Sequence, residues 1–322
     1  MFRQTIVGLA VSTLLLLLAA RNVRLAEIAP VLQQASLSYL ALAAALSILA
    51  IWLRAYRWRY LIPRSESMKT ANLFTATMIG FMGNNVLPLR VGDLARAYIA
   101  AKKEHVTVTA MLATVIIERL LDVFAILTML SVLFFQISFP RWINSGFLVM
   151  LTLAVLFWLG LLLMNNQAAM VSGWFCRLLP RAHAKRLAGV LESFFEGLAA
   201  MKSKKRLLLA ILLSVPIWCA YALAVYVALH ACRIDVPFAA SWVVLAFVGI
   251  GVSLPSAPGF VGTYQFFTVA ALTLFSVDQQ RAFGFSLLQH LSQYIPVTFF
   301  GWLLLIKEQM SLGDLVAFRN KR

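Results

Sequence analysis

Three groups of residues have types and spacings that could do chemistry. The first is Glu118, Arg119 and Asp122, set among Ile116, Ile117, Leu120, Leu121 and Val123 in an apolar block running from Thr109 to Phe135. A charge at the centre of a membrane-spanning helix costs about 2.5 to 3.5 kcal/mol on insertion scales, so something must compensate these three. Glu118 and Asp122 are four residues apart and share a helix face, and Arg119 lies three before Asp122, within reach of a pair along the helix. Two readings stand: an internal ion-pair cluster that locks helix packing, or the polar lining of a lipid-headgroup pathway.

The second group is the run Gly83 to Arg96, with Asn84, Asn85, Pro88, Arg90, Asp93 and Arg96. Amides around a Pro/Gly turn are hydrogen-bond donors, and the guanidinium forks of Arg90 and Arg96 suit a phosphate. Asp93 is three residues from each arginine and can orient one of them. Capture of an anionic headgroup requires this chemistry; the plainer reading is a cationic cytoplasmic flank with a helix cap at Asp93. The third group follows Pro255, Pro258, Gly259 and Gly262, which permit close backbone approach, and adds Tyr264 and Gln265, then Gln289, His290, Gln293 and Tyr294 as a polar stripe on the last long helix. His290 reads either as a proton relay or as a neutral hydrogen-bonding partner.

No other catalytic signature is present: HExxH, P-loop, GxSxG and Asp-rich metal motifs are missing, and the four histidines are scattered. Cys176, Cys219 and Cys232 have neither metal spacing nor an even framework. No catalytic residue, metal or cofactor is therefore expected, although a membrane transferase acting on a lipid phosphate with Glu118, Asp122 and His290 alone stays open.

The elements that must position these groups follow from hydropathy. Of 322 residues 62% are hydrophobic and 12% charged, which excludes a water-soluble fold. Continuous apolar blocks run Thr5 to Ala20, Leu37 to Leu53, Thr109 to Phe135, Gly146 to Met164, Leu207 to Leu229 and Gly284 to Ile306. At about 20 residues per crossing these predict six spanning helices in an all-α polytopic membrane protein, one integral membrane domain over 1–322. Two further apolar stretches, near 70–89 and 238–277, are broken by turn formers and read as broken or re-entrant elements.

Cations settle the orientation. Of 28 Lys and Arg, 22 fall at the N-terminus, in 54–69, 90–103 and 177–206, and in the C-terminal tail; the alternate connections hold five. The positive-inside rule then predicts both termini in the cytoplasm and no nucleic-acid partner. Because the stretch at 70–89 has cation-rich flanks on both sides, it is expected to enter from the cytoplasm, turn at Asn84 to Pro88 and return. The stretch at 238–277 enters from the other face, as one re-entrant element or as a pair of full crossings. Non-helical backbone at membrane depth is tolerated where protein or a wet cavity surrounds it, and two such breaks from opposite faces are a transporter arrangement. Trp52, Tyr56, Trp58 and Tyr60, interleaved with Arg54, Arg57 and Arg59, read as an interfacial belt. The segment 186–202, with Leu187, Leu191, Phe194 and Leu198 on one face, reads as an amphipathic helix lying on the bilayer.

Three stretches taken together, Gly83 to Arg96, Ile117 to Asp122 and Pro255 to Gly262, resemble the lysylphosphatidylglycerol synthase transmembrane family, a flippase-like membrane domain also found in glycosyltransferase-associated proteins of archaea and bacteria. The resemblance implies a lipid translocator in a prokaryotic cytoplasmic (inner) membrane, with an anionic phospholipid or a polyprenyl-phosphate-linked sugar as substrate. The alternative it implies is a non-transporting partner of a lipid-modifying or glycosyl-transferring enzyme. The family's bifunctional members carry a soluble aminoacyltransferase domain after the membrane domain; about 16 residues follow Ile306, so synthesis of aminoacyl lipid is not expected.

Overall fold

A computed structural model of the chain describes residues 2–21, 23–62, 68–134, 141–166, 181–198 and 203–317. Their regular structure is helical: α1 Phe2–Ala20, α2 Leu25–Gln34, α3 Leu37–Leu61, α4 Thr70–Val86, α5 Val91–Glu104, α6 Val108–Phe134, α7 Arg141–Asn166, α8 Arg181–Leu198, α9 Lys204–Ala231, α10 Ala239–Ser253, α11 Thr263–Thr273, α12 Gln279–Lys307 and α13 Leu312–Ala317. The six apolar blocks fall in α1, α3, α6, α7, α9 and α12, which are 19 to 29 residues long. At about 1.5 Å per residue the shortest is about 28 Å, close to the roughly 30 Å hydrocarbon core. Among the described residues α3 and α9 meet both the length and the apolarity needed for a crossing, while α6 carries its three internal charges.

Exposure is inverted relative to a soluble protein. Leu14, Leu17, Leu153, Ile295, Phe299 and Ile306 are exposed, whereas Arg57, Arg96 and Glu118 are 0 to 1% exposed. Large apolar side chains turned outward around buried charge suit a hydrocarbon solvent.

The first broken stretch differs from the expected one. Helix α4 runs on through Asn84 and Asn85 and stops because Pro88 forces Leu87 into extended backbone (φ −102°, ψ 144°). A 3₁₀ turn, Pro88–Arg90, follows, with Arg90 left-handed at φ 53°. The return arm is therefore α5, which absorbs the cationic stretch from Val91 that the sequence suggests as a connection. In the second break α10 ends in extended Leu254 before Pro255; then come the 3₁₀ turn Pro258–Phe260, Gly259 at φ 67°, Gly262 at φ 86°, and α11. With 15 and 11 residues the arms α10 and α11 are about 22 and about 16 Å long, each shorter than the roughly 30 Å hydrocarbon core.

The chain divides into two compact units. The first comprises Met1–Trp52, Thr77–Ala95 and Pro216–Arg322. In it α10 packs on α11, α11 on α12 and α1, and α2 on α12. The arms of the first hairpin approach at glycines, since a Cβ on Gly92 would meet the Gly80 carbonyl and Asn84. Helix α1 clamps the second turn, with Ser12 Oγ accepting from the Ala257 N–H at 2.7 Å. Asp278 caps α12 by accepting from the N–H groups of Gln280 and Arg281.

The second unit comprises Leu53–Ala76 and Arg96–Val215. Here α6 packs on α7 and α8, and Asn72 donates to Glu104 at 2.9 Å. The C-terminal end of the amphipathic helix lies on protein: Phe195 and Leu198 are buried, and a Cβ on Gly197 would strike the Ala110 carbonyl. The side chain of Leu187 and residues 199–202 lie outside the described residues, as does Cys176. Cys219 is exposed; burial pushes the Cys232 thiol up to about 12, against a weaker opposing pull from Arg281, so this thiol is inert at neutral pH.

Candidate functional site

The charges of α6 lie in the second unit and are buried, but their close partners come from other helices. Arg54 Nη1 on α3 donates to Glu118 Oε1 at 3.0 Å and also to Asp122 Oδ2. Arg57 Nη2 donates to Asp122 Oδ1 at 2.8 Å and lies 3.6 Å from Glu118, while its Nη1 donates to Ser214 Oγ at 2.8 Å. Arg96 meets Glu118 with both branches of its fork, Nη1 to Oε1 at 3.1 Å and Nη2 to Oε2. Its guanidinium lies 3.8 Å from the centre of the Trp58 ring, and Trp58 donates its indole N–H to Thr114 at 2.8 Å. Among the described residues three guanidinium groups bond directly to these two buried carboxylates. Arg119 is half-buried and acts on Asp122 electrostatically, but the direct bonds to Asp122 are made by Arg54 and Arg57.

Arg54, Arg57 and Trp58 are thus not part of an interfacial belt; they are 4%, 0% and 0% exposed. The signal that could have found the arginines is their spacing. Residues three apart share a face, and two buried carboxylates at four-residue spacing need cations on one facing helix.

The candidate residues of the first unit meet at the two hairpin turns. Arg90 Nη2 donates to the Val252 carbonyl, an open acceptor in the last turn of α10, and its guanidinium sits 5.7 Å from the Phe260 ring centre. Asn85 donates to Thr298 Oγ1 at 2.9 Å, and its carbonyl accepts from the Tyr294 hydroxyl at 3.3 Å. A Cβ at Gly259, the second residue of the Pro258–Phe260 turn, would lie 2.6 Å from the Tyr294 ring and 3.1 Å from the Asn85 carbonyl, so glycine is required for both conformation and space. Asn84 donates to Asp93 at 3.2 Å. Its Oδ1 is buried without a hydrogen-bond partner among the described residues, as is Thr263 Oγ1 beside the other turn.

His290 sits next to this junction, stacked on Tyr264 at 4.4 Å and edge-on to Tyr294 at 5.8 Å. Gln265 Oε1 accepts the Gly262 N–H at 2.7 Å, so its amide nitrogen is the end that faces His290 Nδ1, at 3.0 Å. The structure therefore brings Asn84, Asn85, Arg90, Asp93, Pro258, Gly259, Tyr264, Gln265, His290 and Tyr294 into one unit, and Arg96, Glu118, Arg119 and Asp122 into the other. Val252, Thr298 and Ser12 join the first group without any signal of their own in the sequence, and Phe260 joins it from within the Pro255 to Gly262 stretch. Among the described residues no cluster of His, Cys, Asp and Glu is arranged to hold a metal.

The sequence profile described as Lysylphosphatidylglycerol synthase TM region matches residues 5–301. The chain belongs to this family. It is 25% identical over 225 residues to the UPF0104 membrane protein MJ1078 of Methanocaldococcus jannaschii, covering 68% of this chain and 90% of the relative. It is likewise 25% identical over 328 residues to MJ1595 of the same organism, covering 94% and 95%. The glycosyltransferase AglD of Haloferax volcanii is 25% identical over 323 residues, 89% of this chain and 52% of AglD, so the chain spans about half of that relative. No solved structure matches. Membership, with relatives named as membrane proteins, makes this family member a membrane protein.

Proposed function

We propose that this chain is a lipid translocator, moving an anionic phospholipid or a lipid-linked sugar across the cytoplasmic membrane. The observation that carries the reading is the meeting of two broken hairpin turns, the first opened by Pro88 and the second made of Pro and Gly, around Arg90, Asn85 and Tyr294. In hydrocarbon, irregular backbone and orphaned polar atoms such as Asn84 Oδ1 cost several kcal/mol each unless protein or water meets them, which supports a wet, substrate-binding setting for the turns. Arg90 would hold a headgroup phosphate, and the neutral amides would complete its solvation. Both termini lie in the cytoplasm in this reading.

The test is translocation of labelled phosphatidylglycerol, and of a polyprenyl-phosphate sugar, in vesicles containing the purified protein alone. A rate equal to that of protein-free vesicles for both lipids sinks the proposal. The likeness to AglD, named a glycosyltransferase, favours a second reading, that of a membrane partner for a glycosyl-transferring enzyme. In that case the vesicle assay is silent and the protein co-purifies with such an enzyme.

A further inference from the structure

We propose that His290 is the proton acceptor that couples proton uptake to opening of the second hairpin turn; this rests on the translocator reading and supplies its driving ion. The argument is one of hydrogen-bond direction. The Gly262 N–H occupies Gln265 Oε1, so Gln265 presents N–H to His290 Nδ1, and that nitrogen accepts. The ring is then neutral, its one proton on Nε2, and the Gly259 main chain is a further hydrogen-bonding neighbour of the ring.

A proton added at Nδ1 sets two donors face to face at 3.0 Å. Gln265 can turn its oxygen to the new N–H only by releasing the Gly262 N–H, the cap of α11 at a glycine with φ 86°. The same ring bears on Gly259 at φ 67°, the glycine packed against Asn85 of the first hairpin. The proton thus opposes the Gly262 cap of the turn, while the Gly259 main chain, hydrogen-bonded to the ring, keeps the protonated histidine on the turn it loosens. In each cycle the proton is taken up at Nδ1 from the water of one membrane face on opening and released to the other face on closing, and no covalent bond other than that N–H changes.

The surroundings offer no competing charge compensation. Helix α11 contributes Tyr264 and Gln265 to the ring, and α12 itself contributes Tyr294. The first hairpin brings Arg90, over Phe260, and Asp93, which is bonded to Asn84. Helix α2 meets α12 through Ile28 and Val31, and its Glu27 is paired with Arg24 at 3.5 Å in an exposed position. Among the described residues no carboxylate acts on the ring to stabilise an imidazolium.

The decisive measurement is maleimide labelling of Thr263→Cys in the full chain, with Cys176, Cys219 and Cys232 replaced by alanine, in vesicles of phosphatidylethanolamine and phosphatidylglycerol. Thr263 is 0% exposed, so labelling reports opening. Rates are divided by those of the denatured protein at the same pH to remove thiol ionisation. Between about pH 8 and about pH 5.5 the corrected rate should rise at least about threefold, with a limit of about tenfold per pH unit below the ordinary histidine range. In His290→Gln, which still accepts from Gln265, the rate should be flat. Should that variant not fold, Gln265→Glu carries the test: its carboxylate accepts from both Gly262 and a protonated ring, so acid should lower labelling. A flat wild-type profile, or an equal rise in His290→Gln, overturns the inference. Lipid translocation is read in the same vesicles. Its absence beside pH-dependent labelling rejects the translocator and keeps the proton-opened turn; translocation beside flat labelling does the reverse.

Discussion

Arg96 and Glu118 meet fork to fork: both terminal nitrogens of the guanidinium donate to the two carboxylate oxygens, and the opposite face of recognition is the Trp58 ring 3.8 Å from the guanidinium carbon. Planarity serves both contacts at once, which a lysine cannot do. Removing Glu118 leaves Arg96 buried without a carboxylate, whereas removing Arg96 costs Glu118 its bidentate partner but leaves it Arg54 and Arg57. Glu118→Leu should therefore destabilise the protein by about 3 to 5 kcal/mol, Arg96→Ala by less, and the combined Arg96→Met, Glu118→Leu variant by less than Glu118→Leu alone. Thermal unfolding in detergent checks this, and strictly additive losses would show that the pair is uncoupled.

Arg54 and Arg57 both reach Asp122. Were they interfacial anchors, glutamine at either position would be nearly silent, because exposed charges contribute about 1 kcal/mol or less. In the buried cluster, Arg54→Gln and Arg57→Gln should each lower the unfolding temperature about as much as Asp122→Ala. Pairing either with Asp122→Asn should recover part of the loss, read by the same melts.

At Arg90 the expectation concerns lipid. The guanidinium closes the C-terminal turn of α10 at the Val252 carbonyl, and its planar fork is the geometry that suits a phosphate. Arg90→Lys should fold normally yet retain less co-purified anionic lipid, and Arg90→Gln less again. Native mass spectrometry at matched expression measures both; wild-type lipid retention in Arg90→Gln would remove this residue from the site.

Gly259 and Gly262 hold left-handed backbone, and a Cβ at Gly262 would strike the Ser12 carbonyl. Alanine at either should cost about 1 to 3 kcal/mol in backbone strain, with steric overlap added. At Gly160, where a Cβ meets open space, alanine in a helix interior should be neutral or mildly stabilising. Expression and melting temperature separate the three variants.

The ends of the first hairpin come together where Asn72 of α4 bonds Glu104 of α5. Lys69→Cys and Lys103→Cys should accordingly be labelled from the same face of the membrane, the cytoplasmic one. Labelling from opposite faces in intact cells would refute the re-entrant arrangement.

Much of the architecture was legible from composition and local pattern. Hydropathy located the six long helices to within a few residues at several ends, because a 20-residue apolar run is a local property that lipid selects directly. Proline located both breaks where other turn formers stand beside it, since it disfavours helix at the preceding residue, although Pro30, Pro216 and Pro296 lie inside helices; asparagine misled, because Asn84 and Asn85 were assigned to the turn when helix continues through them. The amphipathic pattern of 186–202 announced a helix correctly but could not say that its end lies on α6, as lipid and an apolar protein face select the same stripe.

By itself, then, the sequence determined that this is an all-helical membrane protein, where its chain breaks, and that Glu118 and Asp122 must find cations. Only the tertiary structure decided which cations: Arg54 is 64 residues from Glu118 and Arg96 is 22, and a cationic helix end looks the same in sequence whether it faces headgroups or a buried carboxylate. The same holds for the junction of the two turns, where Asn85 and Tyr294 are 209 residues apart. Burial and partner choice are properties of surfaces brought together by folding, and no local spacing encodes them.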